Sequence, residues 1–293
     1  MRRAITVLAT GPQTLIQDLG RPGSAHLGVP PSGALDGPAL RLANRLAGNP
    51  EHLAGIEALL GGLRIRAESS CTVAVTGPAV PVTVDGRAVG SHAPVHLRPG
   101  AELEIGAPAT GLRCYLGISG GVEVPAELGS RATDTLSGIG PEPLRPGDVL
   151  PLGNPAGPPT GADELAPVRA PDRLTVPVLL GPRADWFDDP GAQLAGGEWT
   201  VSPQSNRVGV RLVGLPLRRA ARYAETELPS EGVVTGAVQV PAGGRPVIFL
   251  ADHPTTGGYP VIGVVRPDAL PALGQARPGT AILFRPAGQY SDS

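Results

Sequence analysis

The last quarter of the chain holds the densest group of side chains that could do chemistry, in a loop between two β-branched runs at 247–250 and 261–265. This loop supplies a carboxylate, an imidazole, two hydroxyls, two glycines and a phenol, from Asp252, His253, Thr255, Thr256, Gly257, Gly258 and Tyr259. An unperturbed imidazole titrates near neutral pH, so His253 could transfer protons while Asp252 orients a partner. The hydroxyls and successive N–H groups of 255–258 could form a nest for an oxyanion or a phosphate. A polar, glycine-bearing connection of this kind between strands predicts a functional site.

An amide and a carboxylate lie upstream of that loop, at Gln239 and Glu231. The primary amide of Gln239 presents an acceptor beside a donor, which complements any edge with an N–H next to a C=O. A lactam, a urea and the ring of biotin all display such an edge. Glu231, which follows Ser230, could transfer protons. The alternatives are that Gln239 bonds backbone within a sheet and that Glu231 faces water.

Three polar residues of the N-terminal region are further candidates for binding substrate. Arg21 lies in a glycine-rich turn, where its guanidinium could hold a carboxylate by two hydrogen bonds or form an ordinary salt bridge. Asp36 and Asn44 fall on one face of a predicted helix, which suggests a polar stripe along a cleft. Asp36 could equally cap that helix, and Asn44 could be a satisfied polar residue packed against the preceding loop.

Two other patterns carry less weight. His92 and His96 are four residues apart, but Pro94 between them prevents a shared helix face, and no metal site is predicted from the five dispersed histidines. Residues 117–121 match Gly-x-Ser-x-Gly around Ser119, a motif that needs a helix after the serine. The β-branched segment that follows is closed by a proline and starts a helix poorly, so the match indicates chance.

The composition excludes several mechanisms. All 24 basic residues are arginine, so the chain has no phosphate-loop lysine, no Schiff-base lysine and no lysine to carry biotin. A net charge of −2 and scattered arginines give no case for nucleic-acid or membrane binding.

Cys71 and Cys114 lie in β-like runs, which predicts buried reduced thiols. The N-terminus lacks a signal-peptide pattern, and we expect a cytoplasmic protein.

The elements that position these residues are predicted to be mostly β. The 42 glycines and 35 prolines punctuate short apolar runs at steady intervals, as in barrels and sandwiches. Strands are predicted at 72–76, 80–84, 102–105, 112–118, 174–180, 208–213, 247–250, 261–265 and 281–284. Helices are predicted at 36–47 and, shorter, at 267–273. An unpatterned segment at 153–173 predicts a linker between two barrel-like domains, 1–155 and 172–293, with a cleft where they meet.

Many separate segments resemble one family across nearly the whole chain. They are Gln-Asp-Leu-Gly-Arg at 17–21, Gly-Val-Pro at 28–30, Ser-Gly-Ala-Leu-Asp at 32–36, Leu-Gly-Ser-Arg at 128–131, Ser-Glu-Gly at 230–232, Gly-Ala-Val-Gln-Val-Pro at 236–241 and Thr-Thr-Gly-Gly-Tyr-Pro at 255–260. The chain resembles the family of the 5-oxoprolinase C subunits, also called the biotin-dependent carboxyltransferase, KipA or allophanate hydrolase subunit 2 family. The resemblance implies two cyclophilin-like β-barrel units with few short helices.

The resemblance implies three possible functions. The first is ATP-dependent opening of 5-oxoproline to glutamate with the 5-oxoprolinase subunits A and B, of which the second is KipI-like, and with ATP and Mg acting through the complex. Here Gln239 would bind the lactam edge and Arg21 or Arg207 the substrate carboxylate. The second is carboxyl transfer between urea, or a related amide, and biotin on a separate carrier. The third is a regulatory protein like KipA that antagonises a kinase inhibitor.

The chain departs from the family pattern at two places. Ser-Asn-Arg-Val-Gly at 205–209 stands where Ser-Asp-Arg-Met-Gly is common, and His253-Pro254 where Arg-Gln is common. If the usual arginine binds a substrate carboxylate, His253 would bind it more weakly and with pH dependence.

Overall fold

The computed structural model describes residues 3–159, 170–181 and 183–287. It confirms a mostly β chain with few short helices. Two compact units divide the chain: one of Met1–Arg21, Ser32–Asp134 and Gly138–Ala170, the other of Pro22–Pro31, Thr135–Ser137 and Pro171–Ser293. The segments 22–31 and 135–137 thus belong with the second unit. The sequence predicted a single boundary, at the linker, and placed both segments in the first domain. Residues 160–169 of that linker lie outside the described residues.

The first unit is built from two antiparallel sheets. Its strands are β1 (Ala4–Ala9), β2 (Gln13–Gln17), β3 (Gly55–Leu59), β4 (Arg64–Ala67), β5 (Cys71–Thr76), β6 (Val82–Val84), β7 (Arg87–Val89), β8 (Val95–Leu97), β9 (Glu102–Ile105), β10 (Arg113–Ile118) and β11 (Val149–Pro151). One sheet has the order β11-β1-β4-β9-β6-β7 and the other β2-β3-β10-β5-β8. The sequence predicted a barrel for this unit. The structure has two sheets, which share one apolar core.

That core takes alternate side chains from both sheets. Ile65 and Leu103 contribute from the six-stranded sheet, and Val73 and Leu116 from the five-stranded sheet. Each is fully buried, which stabilises the unit by about 1.5–3 kcal/mol per side chain relative to exposure. In β4 and β9 the alternation of buried and more exposed residues fixes the inward face, whereas β10 is buried at every position.

The predicted helix at 36–47 forms as α1 (Gly37–Leu46). The carboxylate of Asp36 accepts a hydrogen bond from the Ala39 N–H at 3.1 Å, and a proline occupies the first turn. Leu40 and Ala43 are buried in a cluster with Tyr115 of β10. Capping and an apolar stripe together place this helix against the sheet.

The second unit contains a closed barrel. Its elements are β12 (Arg173–Leu180), α2 (Pro190–Gly196), β13 (Trp199–Val201), β14 (Gly209–Val213), β15 (Glu231–Gly232), β16 (Ala237–Gln239), β17 (Val247–Phe249), β18 (Thr256–Gly257), β19 (Val261–Val265), α3 (Leu270–Gly274) and β20 (Ala281–Ala287). The barrel order is β12-β19-β16-β17-β14-β13-β20, closed by the parallel pair β12–β20. The predicted helix at 267–273 corresponds to a 3-10 turn followed by α3. A separate two-stranded sheet pairs β15 with β18.

Candidate functional site

Gln239 ends β16 at a shift of register against β19, between Val238 and Gln239. Such irregularities re-aim a side chain relative to the regular ladder. The Gln239 Nε2 donates to the carbonyl oxygen of Tyr259 at 3.3 Å. Within the described residues the Gln239 Oε1 makes no hydrogen bond, and it is not sealed from solvent although the side chain is only 7 % exposed. Gln239 thus keeps an acceptor and one amide hydrogen for a ligand.

The β15–β18 pair brings Ser230 and Glu231 close to Gln239 and the 257–259 segment. Glu231 lies opposite Gly257 in this ladder. A Cβ added at Gly257 would overlap the Gln239 Nε2, and one at Gly258 would lie 3.9 Å from the Ser230 Oγ. The structure therefore gathers six of the sequence-predicted residues, which we call the amide cluster: Ser230, Glu231, Gln239, Gly257, Gly258 and Tyr259.

Arg183 adjoins the amide cluster and was not found from the sequence. Its Nε donates to the Glu231 Oε2 at 3.1 Å, and its Nη2 donates to the Glu231 Oε1. These hydrogen bonds lower the pKa of Glu231 and raise that of Arg183. Glu231, predicted as a catalytic acid or base, is therefore held as a paired carboxylate. Arg183 precedes Glu231 by 48 residues, and no motif or spacing links the two.

Asp252 and Arg207 form a buried ion pair in the second unit. The Arg207 Nε lies 2.9 Å from the Asp252 Oδ2, and Nη2 lies 3.1 Å from Oδ1. Thr135 donates to Oδ2 from its N–H at 3.0 Å and from its hydroxyl at 2.7 Å. Burial alone would raise the pKa of Asp252, but Arg207 and Thr135 outweigh it and lower that pKa. The geometry thus supports neither proton transfer by Asp252 nor binding of a substrate carboxylate by Arg207.

His253 is also enclosed by the protein. Its Nδ1 lies 2.6 Å from the carbonyl oxygen of Pro254 and its Nε2 lies 3.1 Å from the Thr235 Oγ1. The ring stacks on Phe249 at a centroid distance of 5.9 Å and is 3 % exposed. Since both ring nitrogens have partners, the predicted catalytic role of His253 lacks a nitrogen that can reach a substrate.

The predicted nest at 255–258 has a different conformation. Thr256 and Gly257 form β18, and the Thr255 carbonyl accepts from the Val233 N–H at 3.0 Å. Neither Gly257 nor Gly258 has the positive φ that turns successive N–H groups toward one anion. This correction leaves Thr256 as an exposed strand residue. The extended backbone of Thr256 and Gly257 points their N–H groups to opposite edges of the strand, so the two groups do not converge on one anion.

The three N-terminal candidates, Arg21, Asp36 and Asn44, form hydrogen bonds within the protein. Arg21 is 2 % exposed; its Nε donates to the Glu127 carbonyl at 3.4 Å, its Nη2 donates to the Ala132 carbonyl, and its Nη1 is shielded from solvent. Asp36 caps α1. Asn44 is fully buried and donates to the carbonyls of Glu51 and Leu53 at 3.2 and 2.7 Å. The expected contacts of these three with substrate are therefore replaced by contacts that hold turns and a helix.

A buried polar network in the first unit was missed by the sequence reasoning. The Tyr115 hydroxyl donates to the Glu57 Oε2 at 2.7 Å and accepts from the Asp36 N–H at 2.8 Å. The Arg113 Nε lies 3.4 Å from the Glu57 Oε1. Burial, and then the Glu57 charge, raise the pKa of Tyr115 well above its usual value. This network joins β3 and β10 to the start of α1, which is a positioning role.

The two cysteines and Ser119 behave as the sequence indicated. Cys71 and Cys114 are free and buried. Ser119 accepts hydrogen bonds from Arg3 at 3.0 Å and from the Thr72 N–H at 3.1 Å, and a turn, not a helix, follows it.

Among the described residues there is no group of three or more His, Cys, Asp or Glu side chains arranged to hold a metal ion. In the same part of the chain, no helix combines the length and the apolar character that a bilayer crossing requires.

A bulged barrel strand beside a short two-stranded sheet, with a carboxamide at their junction, is an arrangement that can bind a small amide. The family model described as "Carboxyltransferase domain, subdomain A and B" matches residues 27–286. The chain belongs to this carboxyltransferase-domain family, as the resemblance predicted.

Relatives with two different names are similar to nearly the whole chain. The C subunit of the 5-oxoprolinase of Escherichia coli (strain K12) is 35 % identical over 284 residues, which are 96 % of this chain and 90 % of that protein. The urea amidolyase of Saccharomyces cerevisiae is 36 % identical over 312 residues, covering 98 % of this chain but 17 % of the yeast protein. The crystal structure of the K. lactis urea amidolyase has a TM-score of 0.87 and 32 % identity, covering 98 % of this chain and 19 % of that one.

Proposed function

We propose that this chain is the C subunit of an ATP-dependent 5-oxoprolinase, which opens 5-oxoproline to glutamate together with subunits A and B. The observation that carries the proposal is the amide cluster, in which Gln239 presents an unengaged acceptor beside an amide hydrogen. The likeness to the corresponding E. coli 5-oxoprolinase protein, across 96 % of this chain, supports the same function.

The chemistry follows from the edge of the substrate. A lactam ring displays an N–H next to its C=O, and Gln239 can accept from the first and donate to the second. A donor aimed at the carbonyl also stabilises the negative charge that develops on its oxygen when a nucleophile adds to the carbonyl carbon, before the ring C–N bond breaks. The Tyr259 carbonyl, which holds the other amide hydrogen of Gln239, fixes the orientation of the carboxamide. This chain would therefore bind and polarise the lactam.

We assign ATP and Mg to the partner proteins. The chain has no lysine for a phosphate-binding loop. Thr256 and Gly257 form a strand, and no residue of 255–258 has the left-handed backbone that a phosphate nest alternates with right-handed backbone. The division of labour places phosphoryl chemistry on subunits A and B, including the KipI-like protein, and lactam recognition on this chain.

The test is reconstitution with subunits A and B. We expect 5-oxoproline-dependent ATP hydrolysis from the three proteins together and none from this chain alone. The Gln239→Ala variant should lower kcat/KM for 5-oxoproline about a hundredfold while remaining folded. Gln204→Ala, at an exposed glutamine of the same unit, is the matched control and should keep the wild-type rate. Turnover by the isolated chain, or a normal rate for Gln239→Ala, would contradict the proposal.

A second function is favoured by the urea amidolyase relatives, namely carboxyl transfer between biotin and urea or a related amide. The ureido edges of urea and biotin present the same N–H and C=O pattern to Gln239. Because the chain has no lysine, the biotin would arrive on a separate carrier. Urea-dependent turnover with a biotinylated partner, without 5-oxoproline-dependent turnover, would select this function.

A further inference from the structure

The Arg183–Glu231 pair has a particular geometry. Glu231 contacts the side edge of the guanidinium, formed by Nε and Nη2. A guanidinium has a second edge, formed by Nη1 and Nη2, which also matches a carboxylate with two parallel hydrogen bonds. The pair therefore leaves one complete anion-binding edge of Arg183 uncommitted.

The Arg183 side chain is partly exposed, and its Nη1 is not among the buried unpartnered atoms. In the described part of the chain, its Nη1 makes no hydrogen bond, and the side chain is 36 % exposed. The two arginines that the sequence suggested as carboxylate binders differ in this respect. Arg21 donates to backbone carbonyls and Arg207 to Asp252, and both are almost fully buried. Of these three arginines, Arg183 alone can meet a substrate.

Glu231 connects Arg183 to the lactam-binding amide. It lies directly across the β15–β18 ladder from Gly257, on which the Gln239 carboxamide rests. Residues opposite each other in such a ladder are about 5 Å apart. Directly opposite residues also point to the same face of the ladder, and a Cβ at Gly257 would overlap the Gln239 Nε2. Glu231, and the Arg183 guanidinium that it holds, therefore lie on the face that carries the Gln239 carboxamide.

Resting on the proposed function, we infer that the outer edge of Arg183 binds the substrate's carboxylate and that Glu231 is a positioning residue that orients this guanidinium. In 5-oxoproline the carboxylate is on the carbon bonded to the ring nitrogen, so an N–H held by Gln239 brings the carboxylate to a neighbouring site. The pair would then select amides with an adjacent carboxylate over uncharged lactams.

The experiment compares 5-oxoproline with 2-pyrrolidinone, which has the same lactam ring without the carboxylate. Ligand-observed NMR titration of the full chain gives both dissociation constants. For wild type we expect 5-oxoproline to bind more tightly, and Arg183→Gln should reduce this preference about tenfold to a hundredfold. Arg183→Lys should restore part of it, since a lysine keeps the charge but loses the two-point geometry. Arg218→Gln, at an exposed arginine of the same unit, is the control and should preserve it.

The role of Glu231 has its own readout in the complex with subunits A and B. Glu231→Gln should raise KM for 5-oxoproline with kcat nearly unchanged, because it disorders the guanidinium without touching the lactam. A fall in kcat at constant KM would overturn the positioning role.

The outcomes separate this inference from the proposed function. Arg183-dependent binding of 5-oxoproline without lactam-driven ATP hydrolysis in the complex would support Arg183 and refute the 5-oxoprolinase assignment. Turnover of 5-oxoproline with a preference unchanged in Arg183→Gln would refute the role of Arg183 alone. Absence of both binding and turnover would refute both.

Discussion

Arg207 and Asp252 form a two-point ion pair from which solvent is excluded, with side chains 1 % and 0 % exposed. The pair ties the segment before β14 to the segment after β17, and Thr135 completes the hydrogen bonds of the carboxylate. The loop that the sequence marked as a site is therefore anchored at its first residues by a structural pair. The residues that can meet a ligand lie further along it, at Gly257–Tyr259.

Removing one partner of this pair should strongly destabilise the chain. Asp252→Ala leaves the Arg207 charge buried and uncompensated, which costs about 3–5 kcal/mol of unfolding free energy. Asp268→Ala breaks the exposed Arg266–Asp268 pair and should cost less than about 1 kcal/mol. Chemical denaturation of both variants measures the difference. Equal losses would show that the buried pair is not the stronger structural element.

The same carboxylate should make stability depend on acid. The folded pKa of Asp252 is lowered, so below the ordinary carboxyl pKa of about 4 the unfolded state binds more protons than the folded state. This stabilisation is present above about pH 4 and is lost as pH falls through the lowered folded pKa. Unfolding free energies between about pH 7 and pH 3 should therefore fall more steeply for wild type than for Asp252→Asn. Parallel curves for the two proteins would contradict this assignment.

Glycine at 257 should be required for function more than for folding. A Cβ there would overlap the Nε2 of Gln239 and displace the carboxamide, whereas one at Gly232 meets nothing within 4 Å. Gly257→Ala should lower kcat/KM for 5-oxoproline in the reconstituted complex by about a hundredfold, because a displaced group loses its alignment. Gly232→Ala, in the paired strand, should retain activity. Steady-state kinetics, with thermal melts to confirm folding, decide between them.

Asn44 should act on stability and not on substrate binding. Its Nδ2 holds two loop carbonyls, and its Oδ1 accepts from Asn49 at 3.0 Å. Asn44→Ala leaves these groups unpaired, at a cost of about 1–3 kcal/mol by denaturation. The dissociation constant for 5-oxoproline should remain that of wild type. A weakened affinity in a fully folded variant would return Asn44 to the binding site.

Both thiols should be inert in the folded chain. Burial raises the pKa of Cys71 to about 11 and that of Cys114 to about 12. At about pH 8 each is almost entirely protonated, and the thiolate is the form that reacts. Labelling with Ellman's reagent should be slow in the native state and reach two thiols in guanidinium chloride. Rapid native labelling would show that a strand bearing a cysteine opens readily.

Local patterns predicted much of the fold. The strand prediction at 261–265 and the one at 102–105 coincide with β19 and β9, because alternation and β-branching act on consecutive residues. The cap of α1 was also predicted, since a carboxylate and a proline at the start of an apolar stripe stabilise a helix locally. The joining of residues 22–31 and 135–137 to the second unit was not predicted, because contacts distant in sequence leave no local pattern.

The sequence alone determined the fold class, the family and the candidacy of Gln239 as a residue that recognises an amide. The tertiary structure decided which charged side chains are available. Asp252, His253, Arg207 and Arg21 look as reactive in the sequence as Glu231, but the fold pairs them with distant residues and buries them. The sequence shows that a residue carries a charge or an imidazole. The partner and the exposure of that side chain depend on which distant segments of the chain meet, which only the folded structure decides.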